Sequence, residues 1–487
     1  MSEPVDKRAF LAARRCLTQG WYIHHAPGEV PAPGLRWRFY AGADVAHRAR
    51  AWLGEGRSLQ RAPFDSALQA TDDAVKNPES NLLFEASFQW GGLVARADAL
   101  RHSDDGWTLV EIKSGQSSQD GRVKEEYLDD LAYTTCVASR AGLAVVRASL
   151  VLLNRDYTLG GEADLFVELD VTAEALRRAT AFSQDAQAIA TAVTGDQRPE
   201  PSLKFACKGC EFFDTVCIGK GVADPLFVLP RLSEKKFVEL RVYERVTNLP
   251  STAKLTEPQQ RVAEIVRSGQ PRTERAGLQI LEDVAWPAYY LDFEAVMPHL
   301  PWFEGRPPYD AVPFQYSLHI RSAPGATLEH HEYLATVDGD WRRAFTEQLL
   351  ADLGSTGSIV VYSSYEKTRL TALTTLFPDL REAIGLVVSR LFDLEQVFKN
   401  GYWHPGFGGR TSIKKVLPVM VPDLRYDTLA VNNGDDAAGV FGLMRVGEYP
   451  ADTHERHRRA LLMYCSLDTM ALVRLHEVAS SIKTGAG

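Results

Sequence analysis

The sequence has no apolar run near the ~20 residues that a membrane-spanning helix needs, which argues against an integral membrane protein. Its first residues, MSEPVDKRAFLAARR, lack the apolar core of a secretory signal peptide. Internal repeats and low-complexity tracts are also absent from the sequence. We therefore expect a protein of the cytoplasm, where thiols stay reduced.

Cysteine is scarce as well, with six residues in a chain of 487. The formal net charge of −9 argues against a simple coat protein for nucleic acid, although carboxylates that bind metal ions would add such charge. The contents of 45% hydrophobic and 24% charged residues are typical of a soluble globular protein. A chain of this length exceeds a single hydrophobic core, so two or three domains are expected.

The first part of the chain alternates helix-like and strand-like segments. Hydrophobic periodicity predicts a helix over 39–54, strands over 81–89, 92–100 and 106–112, a helix over 123–140 and a strand over 144–153. Helix, three strands, helix and strand is the core order of the restriction-endonuclease fold. We therefore expect an α/β domain there, with a mixed sheet flanked by helices.

An acidic pair and a lysine lie on two of these predicted strands. Glu111 and Lys113 are two residues apart and face the same way, whereas Ile112 between them enters the core. A hairpin around 103–106 brings Asp98 beside them. Two carboxylates on neighbouring strands suit Mg²⁺ or Mn²⁺, and an adjacent lysine can position an attacking hydroxide. The alternative is an exposed cross-strand salt bridge between Glu111 and Lys113 or a neighbour.

Two other polar residues of this region have ordinary interpretations from their patterns alone. His47, on the first predicted helix with Asp44, is expected to be a surface or core histidine. Glu85 is expected to be a strand residue that faces solvent.

Three cysteines form a tight group, Cys207-x2-Cys210-x6-Cys217, and Cys16 is the obvious candidate for a distant fourth ligand. Four thiolates suit either a [4Fe–4S] cluster or tetrahedral zinc, and joining them ties the start of the domain to its end. Inert buried cysteines are the alternative. Cys136 and Cys465, each alone on an apolar helix, are assigned to packing.

Together these motifs resemble the RecB-like exonucleases of CRISPR systems and the nuclease domains of AddB type, over about residues 1–220. The resemblance implies that His47, Asp98 and Glu111 bind the catalytic metal and that the four cysteines hold a [4Fe–4S] cluster. These families often carry a Q-x-x-x-Y-type motif on the following helix. Here that helix offers Tyr133, but Thr134 stands where a glutamine is expected.

A second acidic group lies in the C-terminal half. Asp292 and Glu294 alternate around Phe293 on the apolar strand AYYLDF, so both face one side. Far downstream, Tyr464 and Asp468 are four apart on a predicted helix and share a face. Such carboxylates can converge on two metal ions, as in-line phosphodiester cleavage requires, and the tyrosine can orient the attacking water. For Asp468 alone, the alternative is an ordinary charge on a helix surface.

This pattern resembles the DnaQ-like 3′→5′ exonucleases, which have the ribonuclease H fold, in their tyrosine-containing subclass. It is closer still to a bacterial domain of uncharacterised function that is fused behind RecB-like nuclease domains. The shared segments include WPAYYLDFE, SSYEKT and YCSLDT, over about residues 232–480. Glu366 occupies the middle acidic position, where this class normally has aspartate, and Asp393 is a candidate for the missing short carboxylate.

The expected organisation is a restriction-endonuclease-like domain over 1–225, a helical connection over 226–284 and a ribonuclease H-like domain over 285–487. The expected activity is metal-dependent cleavage of DNA at the first site and 3′ trimming of single-stranded DNA or RNA at the second. A nucleic-acid-binding or assembly module with one inactive site is the alternative. Basic side chains near the two sites that could meet backbone phosphates are Arg96, Lys113, Arg410, Lys414 and Lys415. Trp90, Trp403 and Phe407 could stack bases, but core packing is the favoured interpretation of these aromatics.

Overall fold

The computed structural model describes residues 3–26, 30–59, 61 and 63–485. The chain divides into two compact units. The first comprises residues up to 30, 38–221 and 298–310, and the second comprises 31–37, 222–297 and 311–487. Across the described ranges, none of the helices has the length and apolar character needed to cross a membrane.

The first unit contains a six-stranded sheet whose strands follow one another in chain order. The pairs β2–β3, β3–β4 and β5–β6 are antiparallel, whereas β1–β2 and β4–β5 are parallel. The strands are β1 (Arg57–Ser58), β2 (Leu82–Trp90), β3 (Leu93–Ser103), β4 (Gly106–Gln116), β5 (Val145–Leu153) and β6 (Phe166–Asp170). The helices are α1 (Lys7–Arg15), α2 (Leu17–His25), α3 (Pro33–Leu53), α4 (Phe64–Lys76), α5 (Glu125–Arg140) and α6 (Thr172–Thr194), and α3 belongs to this unit from residue 38 onward.

Both faces of this sheet are covered, because neighbouring strand residues enter different cores. Leu109 and Leu150 pack with residues of α1, α5 and α6, among them Phe10 and Tyr133. Their neighbours Val110 and Val151 pack instead with Val45 and Ala49 of α3. The predicted mixed sheet with flanking helices is therefore confirmed. All six predicted elements are present, and the first helix begins at residue 33 rather than 39.

The second unit is built around a five-stranded sheet in the order β10-β9-β8-β11-β12. The first three of these strands are antiparallel, and β11 is parallel to both β8 and β12. The strands of this sheet are β8 (Ala288–Val296), β9 (Val312–Arg321), β10 (Leu328–Leu334), β11 (Ser358–Val361) and β12 (Leu391–Asp393). Two further strands, β7 (Arg272–Thr273) and β13 (Tyr402–Trp403), pair with each other in a separate two-stranded sheet.

The helices of the second unit surround this sheet. They are α7 (Glu234–Leu240), α8 (Glu257–Ser268), α9 (Arg275–Leu278), α10 (Arg342–Asp352), α11 (Tyr365–Leu376), α12 (Arg381–Ser389), α13 (Glu395–Asn400), α14 (Ile413–Met420), α15 (Gly434–Arg445) and α16 (His454–Thr484). The long helix α16 packs Leu472 and Leu475 into the same core as Tyr290 of β8. The strand predicted at AYYLDF and the helix predicted around Asp468 are therefore both present.

Candidate metal centres

In the first unit, the β3–β4 hairpin places Asp98 beside Glu111. Ser103 pairs with Gly106 and Ala99 pairs with Val110, so the next position in this register sets Asp98 opposite Glu111. Asp98 Oδ2 accepts a hydrogen bond from the backbone N–H of Ile112 at 2.7 Å. As the alternation predicts, the side chain of Ile112 is buried in the core that α3 covers. Asp98 and Glu111 therefore belong to the sheet face that α1 and α5 cover.

Two lysines contact the Glu111 carboxylate. Lys113 Nζ lies 3.0 Å and Lys7 Nζ of α1 lies 2.5 Å from Glu111 Oε1. Burial alone would raise the pKa of Glu111, but the charges of Lys113 and Lys7 outweigh it and hold that pKa below its ordinary value. Lys113 also pairs with Asp130 of α5. The side chain of Glu111 is only 4% exposed, so the expected alternative of an exposed salt bridge is wrong.

Asp98 has the opposite electrostatic character. Burial, followed by the charge of Glu111, raises its pKa to about 7. These two carboxylates lie opposite each other, with Glu111 buried and Asp98 half-buried, and Asp98 is partly protonated at neutral pH. A divalent cation would neutralise the charge of such a donor pair. The residues present therefore fit a hard metal ion.

The helix α5 closes this site with Thr134. Its hydroxyl lies 3.4 Å from Glu111 Oε2, so the position where a glutamine was expected does face the carboxylate. Tyr133 points elsewhere, with its hydroxyl 3.1 Å from the carbonyl of Val5 and 2.9 Å from that of Val94. Tyr133 is fully buried and holds backbone segments together.

His47 lies on a helix that packs against the opposite face of the sheet from the Asp98 and Glu111 carboxylates. It is exposed on α3, about 200° around the helix from buried Val45, and α3 packs on the other face of the sheet. Among the described residues, no hydrogen bond or ion pair joins His47 to Asp98 or Glu111. Its role as a metal ligand stays a prediction.

Glu85 was expected to face solvent, and this interpretation is wrong. Glu85 is 3% exposed and adopts a positive φ of 65°. It pairs with Arg50 of α3 and with Arg61 at 2.9 Å, and Arg96 lies 3.9 Å away. These basic partners come from separate segments, which explains why the strand pattern alone did not reveal the buried ion cluster.

The four predicted metal-binding cysteines line one small pocket of the first unit. Cys16 lies between α1 and α2, and the other three, Cys207, Cys210 and Cys217, lie in the segment after α6. Burial raises the pKa of Cys207, and the neighbouring Cys16 adds to this shift. All four are free thiols. Their convergence fits a soft metal centre in donor chemistry.

In the second unit, Asp292 and Glu294 of β8 converge with Asp468 of α16. Each offers an oxygen, and these three atoms lie within 4.8 Å of one another. Burial, followed by the charge of Asp468, raises the pKa of both Asp292 and Glu294 well above the ordinary values. Burial also raises the pKa of Asp468 to about 6. Glu294 and Asp468 are buried and Asp292 is half-buried, and within the described part of the chain none of the three forms an ion pair. Acids of like charge so placed suit a divalent metal ion.

Glu366, in the first turn of α11, faces the same group. It is 2% exposed, and burial raises its pKa to about 8, with charge contributions from Asp393 and Asp468. Among the described residues Glu366 Oε2 is buried without a hydrogen-bond partner, as expected of an oxygen that awaits a cation. Asp393 instead accepts hydrogen bonds from the backbone N–H groups of Ser363 at 2.8 Å and Glu395 at 3.0 Å.

Two tyrosines and a lysine complete the second site. Tyr464 lies close enough to Asp468 on the same helix to lower the pKa of that carboxyl, as the four-residue spacing predicts. Tyr426 donates to Asp468 Oδ1 at 2.5 Å, a contact that the sequence patterns did not indicate. Lys414 Nζ lies 5.9 Å from the Tyr426 ring centroid and 6.0 Å from that of Tyr464. Its charge lowers the pKa of Glu294 against the larger effect of burial.

Comparison with known protein families gives two matches. Residues 21–217 match the PD-(D/E)XK nuclease superfamily, and residues 289–412 match a domain of unknown function, DUF2779. Comparison with curated proteins finds no match. The first match contains the Asp98–Glu111–Lys113 site and indicates a metal-dependent nuclease domain that acts on nucleic acid. The second contains Asp292, Glu294 and Glu366 but ends before Asp468.

Proposed function

We propose that this protein is a nuclease with two separate metal-dependent phosphodiesterase centres. The first centre, in the PD-(D/E)XK region, cleaves DNA within single strands or at ends. The second centre removes nucleotides from the 3′ end of single-stranded DNA or RNA. The observation that carries the proposal is that each unit gathers its own group of buried or half-buried carboxylates: Asp98 with Glu111 in one, and Asp292 with Glu294 and Asp468 in the other.

At the first centre, Asp98 and Glu111 would hold Mg²⁺ or Mn²⁺. The ion supplies a water of lowered pKa and stabilises charge on the phosphoryl group. Lys113, fixed between Glu111 and Asp130, directs its ammonium group toward the same space and orients the attacking water. Burial opposes the charge on Lys113, but Glu111 and Asp130 raise its pKa, so it remains a cation.

The four cysteines would hold a [4Fe–4S] cluster, with structural zinc as the alternative. Their pocket joins the α1–α2 junction to the segment that follows α6. A metal bound there links the two ends of the nuclease region, and Lys7 of α1 contacts Glu111. The cluster therefore supports the geometry of the first centre from a distance. Free thiols of this kind fit a reducing compartment such as the cytoplasm.

At the second centre, Asp292, Glu294 and Asp468 would hold the ions, with Glu366 as a further ligand. Tyr464 is placed to orient a water, and Lys414 offers a cation to the phosphate. The sheet order β10-β9-β8-β11-β12, with three antiparallel strands followed by two parallel ones, supports a ribonuclease H-like fold of DnaQ type. The domain boundaries that we propose are 1–225, 226–284 and 285–487.

The test is a cleavage panel with end-labelled single- and double-stranded DNA and RNA in Mg²⁺ or Mn²⁺. Glu111→Gln should abolish internal or end cleavage of DNA by the first centre, and Asp292→Asn should abolish stepwise 3′ trimming. The matched controls Asp104→Asn and Asp283→Asn replace exposed carboxylates, one in each unit, and should leave both activities unchanged. If Glu111→Gln keeps DNA cleavage, or Asp292→Asn keeps 3′ trimming, the corresponding centre is refuted.

A second candidate function is a nucleic-acid-binding or assembly module whose first centre is inactive. The observation that favours it is the pairing of both Lys7 and Lys113 with Glu111, which competes with a metal ion for the same carboxylate. If this second candidate is correct, the unchanged protein and the Glu111→Gln variant should bind DNA with the same affinity, and neither should show cleavage that depends on residue 111.

A further inference from the structure

We propose that a cavity of about 690 Å³ in the second unit binds a nucleotide of the single strand whose 3′ end lies at the second centre. This inference rests on the proposed function and specifies how that centre recognises its substrate. The cavity lies between α8 and the segment that runs from α13 to the start of α14.

The charge of the cavity lining is opposite to that of the whole chain. The chain has a net charge of −9, whereas the lining contains four basic residues and one acidic residue. The acidic residue, Glu257, already pairs with Arg261 at 2.7 Å. The remaining basic residues are Arg231, Arg410 and Lys399, of which Lys399 pairs with Glu395 at 2.6 Å. This excess of positive charge complements a phosphate backbone.

Two of these cations have no internal partner. Among the described residues, neither Arg231 nor Arg410 forms an ion pair or a side-chain hydrogen bond, and both are exposed. The position of Arg410 is fixed by Gly409, which has a φ of +71° and lies so close to the Val228 carbonyl that a Cβ would come within 1.7 Å of its oxygen. The fold thus holds a free arginine at the edge of the cavity.

The cavity also contains a flat surface for a base. The guanidinium of Arg261 lies 4.3 Å from the centroid of the Trp403 ring. Both side chains are half-buried and line the cavity together with buried Phe407. Base stacking on aromatic and guanidinium surfaces is how single strands are bound without sequence preference. A stacking surface beside free cations fits a nucleotide better than it fits an apolar ligand.

The cavity is connected to the second centre by a short stretch of chain. Arg410 and Thr411 line the cavity, and Lys414 lies over the rings of Tyr426 and Tyr464 beside Asp468. Three residues of chain span at most about 10 Å. The Thr411 hydroxyl also hydrogen-bonds Glu395 at 2.7 Å. The same segment of chain therefore contributes residues both to the cavity and to the second centre.

The experiment measures binding of fluorescein-labelled single-stranded oligothymidine and oligouridine by anisotropy, in chelator so that no strand is cut. The variants are Arg231→Gln/Arg410→Gln, which changes only exposed side chains, and Trp403→Ala. The double variant should lower the slope of log affinity against log salt by about 1.4, because two phosphate contacts are lost at about 0.7 each. Trp403→Ala should weaken binding about tenfold, the loss of one stacked base. Arg381→Gln, an exposed arginine of the same unit, is the matched control and should change neither quantity.

Unchanged affinity and salt slope in the double variant would overturn the proposal, even if Trp403→Ala failed to fold. Competition by AMP as strong as that of the oligonucleotides would also overturn it, because the cavity would then be a mononucleotide site. Failure of the proposed function gives a different pattern. In that case the cavity variants weaken binding, but Asp292→Asn leaves 3′ trimming intact.

Discussion

Tyr426 donates a hydrogen bond from its hydroxyl to Asp468 Oδ1, with 2.5 Å between the two oxygens. Burial, followed by the negative charge of Asp468, raises the pKa of Tyr426, so the hydroxyl stays protonated and remains a donor at neutral pH. The same hydrogen bond lowers the pKa of Asp468 against the larger effect of burial. Tyr426 therefore keeps a buried carboxylate ionised and oriented at the second centre.

Replacing this donor should weaken metal binding. We expect Tyr426→Phe to lower the Mn²⁺ affinity of the second centre about tenfold, since a hydrogen bond to a charged group contributes about 1.5–3 kcal/mol. Mn²⁺ titration in a Glu111→Gln background measures this centre alone. Tyr333→Phe is the matched control, because that tyrosine is also half-buried in the second unit. Within the described ranges its hydroxyl forms no hydrogen bond, so the substitution removes no such contact. Equal affinities in the two variants would contradict the role of Tyr426.

A divalent ion should stabilise the second unit. Half-buried Asp292 lies beside buried Glu294 and Asp468, and the mutual repulsion of the three carboxylates destabilises the folded state without a cation. Mn²⁺ at about 100 times its dissociation constant should add about 2.7 kcal/mol to the free energy of unfolding. Asp292→Asn should remove this gain and, in chelator, should make the protein more stable than the unchanged chain. Thermal denaturation with and without Mn²⁺ measures both the stabilisation by the ion and the effect of the substitution. If Asp292→Asn is less stable than the unchanged chain in chelator, the proposed repulsion between the carboxylates is refuted.

The stabilisation by metal should depend on pH. The pKa values of Asp468, about 6, and Glu366, about 8, lie above the ordinary values of 3.8 and 4.5. The folded protein therefore binds more protons than the unfolded chain, so the contribution of these groups to stability is full below about pH 4 and is lost as pH rises through about 6 to 8. Mn²⁺ binds the ionised carboxylates, so the difference in melting temperature between Mn²⁺ and chelator should widen from pH 6 to pH 8. A constant difference over this range would contradict the assignment.

Much of each site could be predicted from the sequence because its key residues follow local periodicity. Two-residue spacing on a strand predicted the common face of Glu111 and Lys113, and a tight turn predicted the hairpin that brings Asp98 to them. Four-residue spacing on a helix predicted the contact between Tyr464 and Asp468. The same periodicity located the strands of both main sheets that carry these residues.

The partners that the sequence did not reveal come from distant segments. Lys7 is separated from Glu111 by 104 residues, and Tyr426 is separated from Asp468 by 42. Neither belongs to a spaced motif, and a lysine on an N-terminal helix ordinarily lies at the surface. The prediction that Glu85 faces solvent was wrong for a related reason, because tertiary packing rather than the strand pattern brings its three arginine partners to it. The role of His47 as a metal ligand, which only the family resemblance implies, stays a prediction.

Lys7 should compete with a metal ion for Glu111. The ammonium of Lys7 lies on Glu111 Oε1 and lowers the pKa of that carboxyl, so its removal frees the oxygen and removes a like charge. Lys7→Met in an Asp292→Asn background should raise Mn²⁺ affinity at the first centre about tenfold, the equivalent of one pKa unit. The control Lys76→Met removes an exposed lysine of the same unit, which pairs with exposed Asp72. Weaker Mn²⁺ binding in Lys7→Met would show instead that Lys7 supports the site.

The cysteine pocket should bind one metal centre that requires Cys16. Cys16 is far from Cys207, Cys210 and Cys217 in the sequence. Of the four predicted ligands it is the one at the α1–α2 junction, so it would link the cluster to that junction. Cys16→Ser should lower the metal content of anaerobically purified protein and lower the melting temperature, because metal binding at such a site contributes to folding. Cys136→Ala removes a buried thiol from the core of the same unit and should keep the full metal content. Iron with sulfide and brown colour would identify a [4Fe–4S] cluster, whereas colourless protein with zinc would identify a structural zinc site. Unchanged metal content in Cys16→Ser would exclude this residue as a ligand in either case.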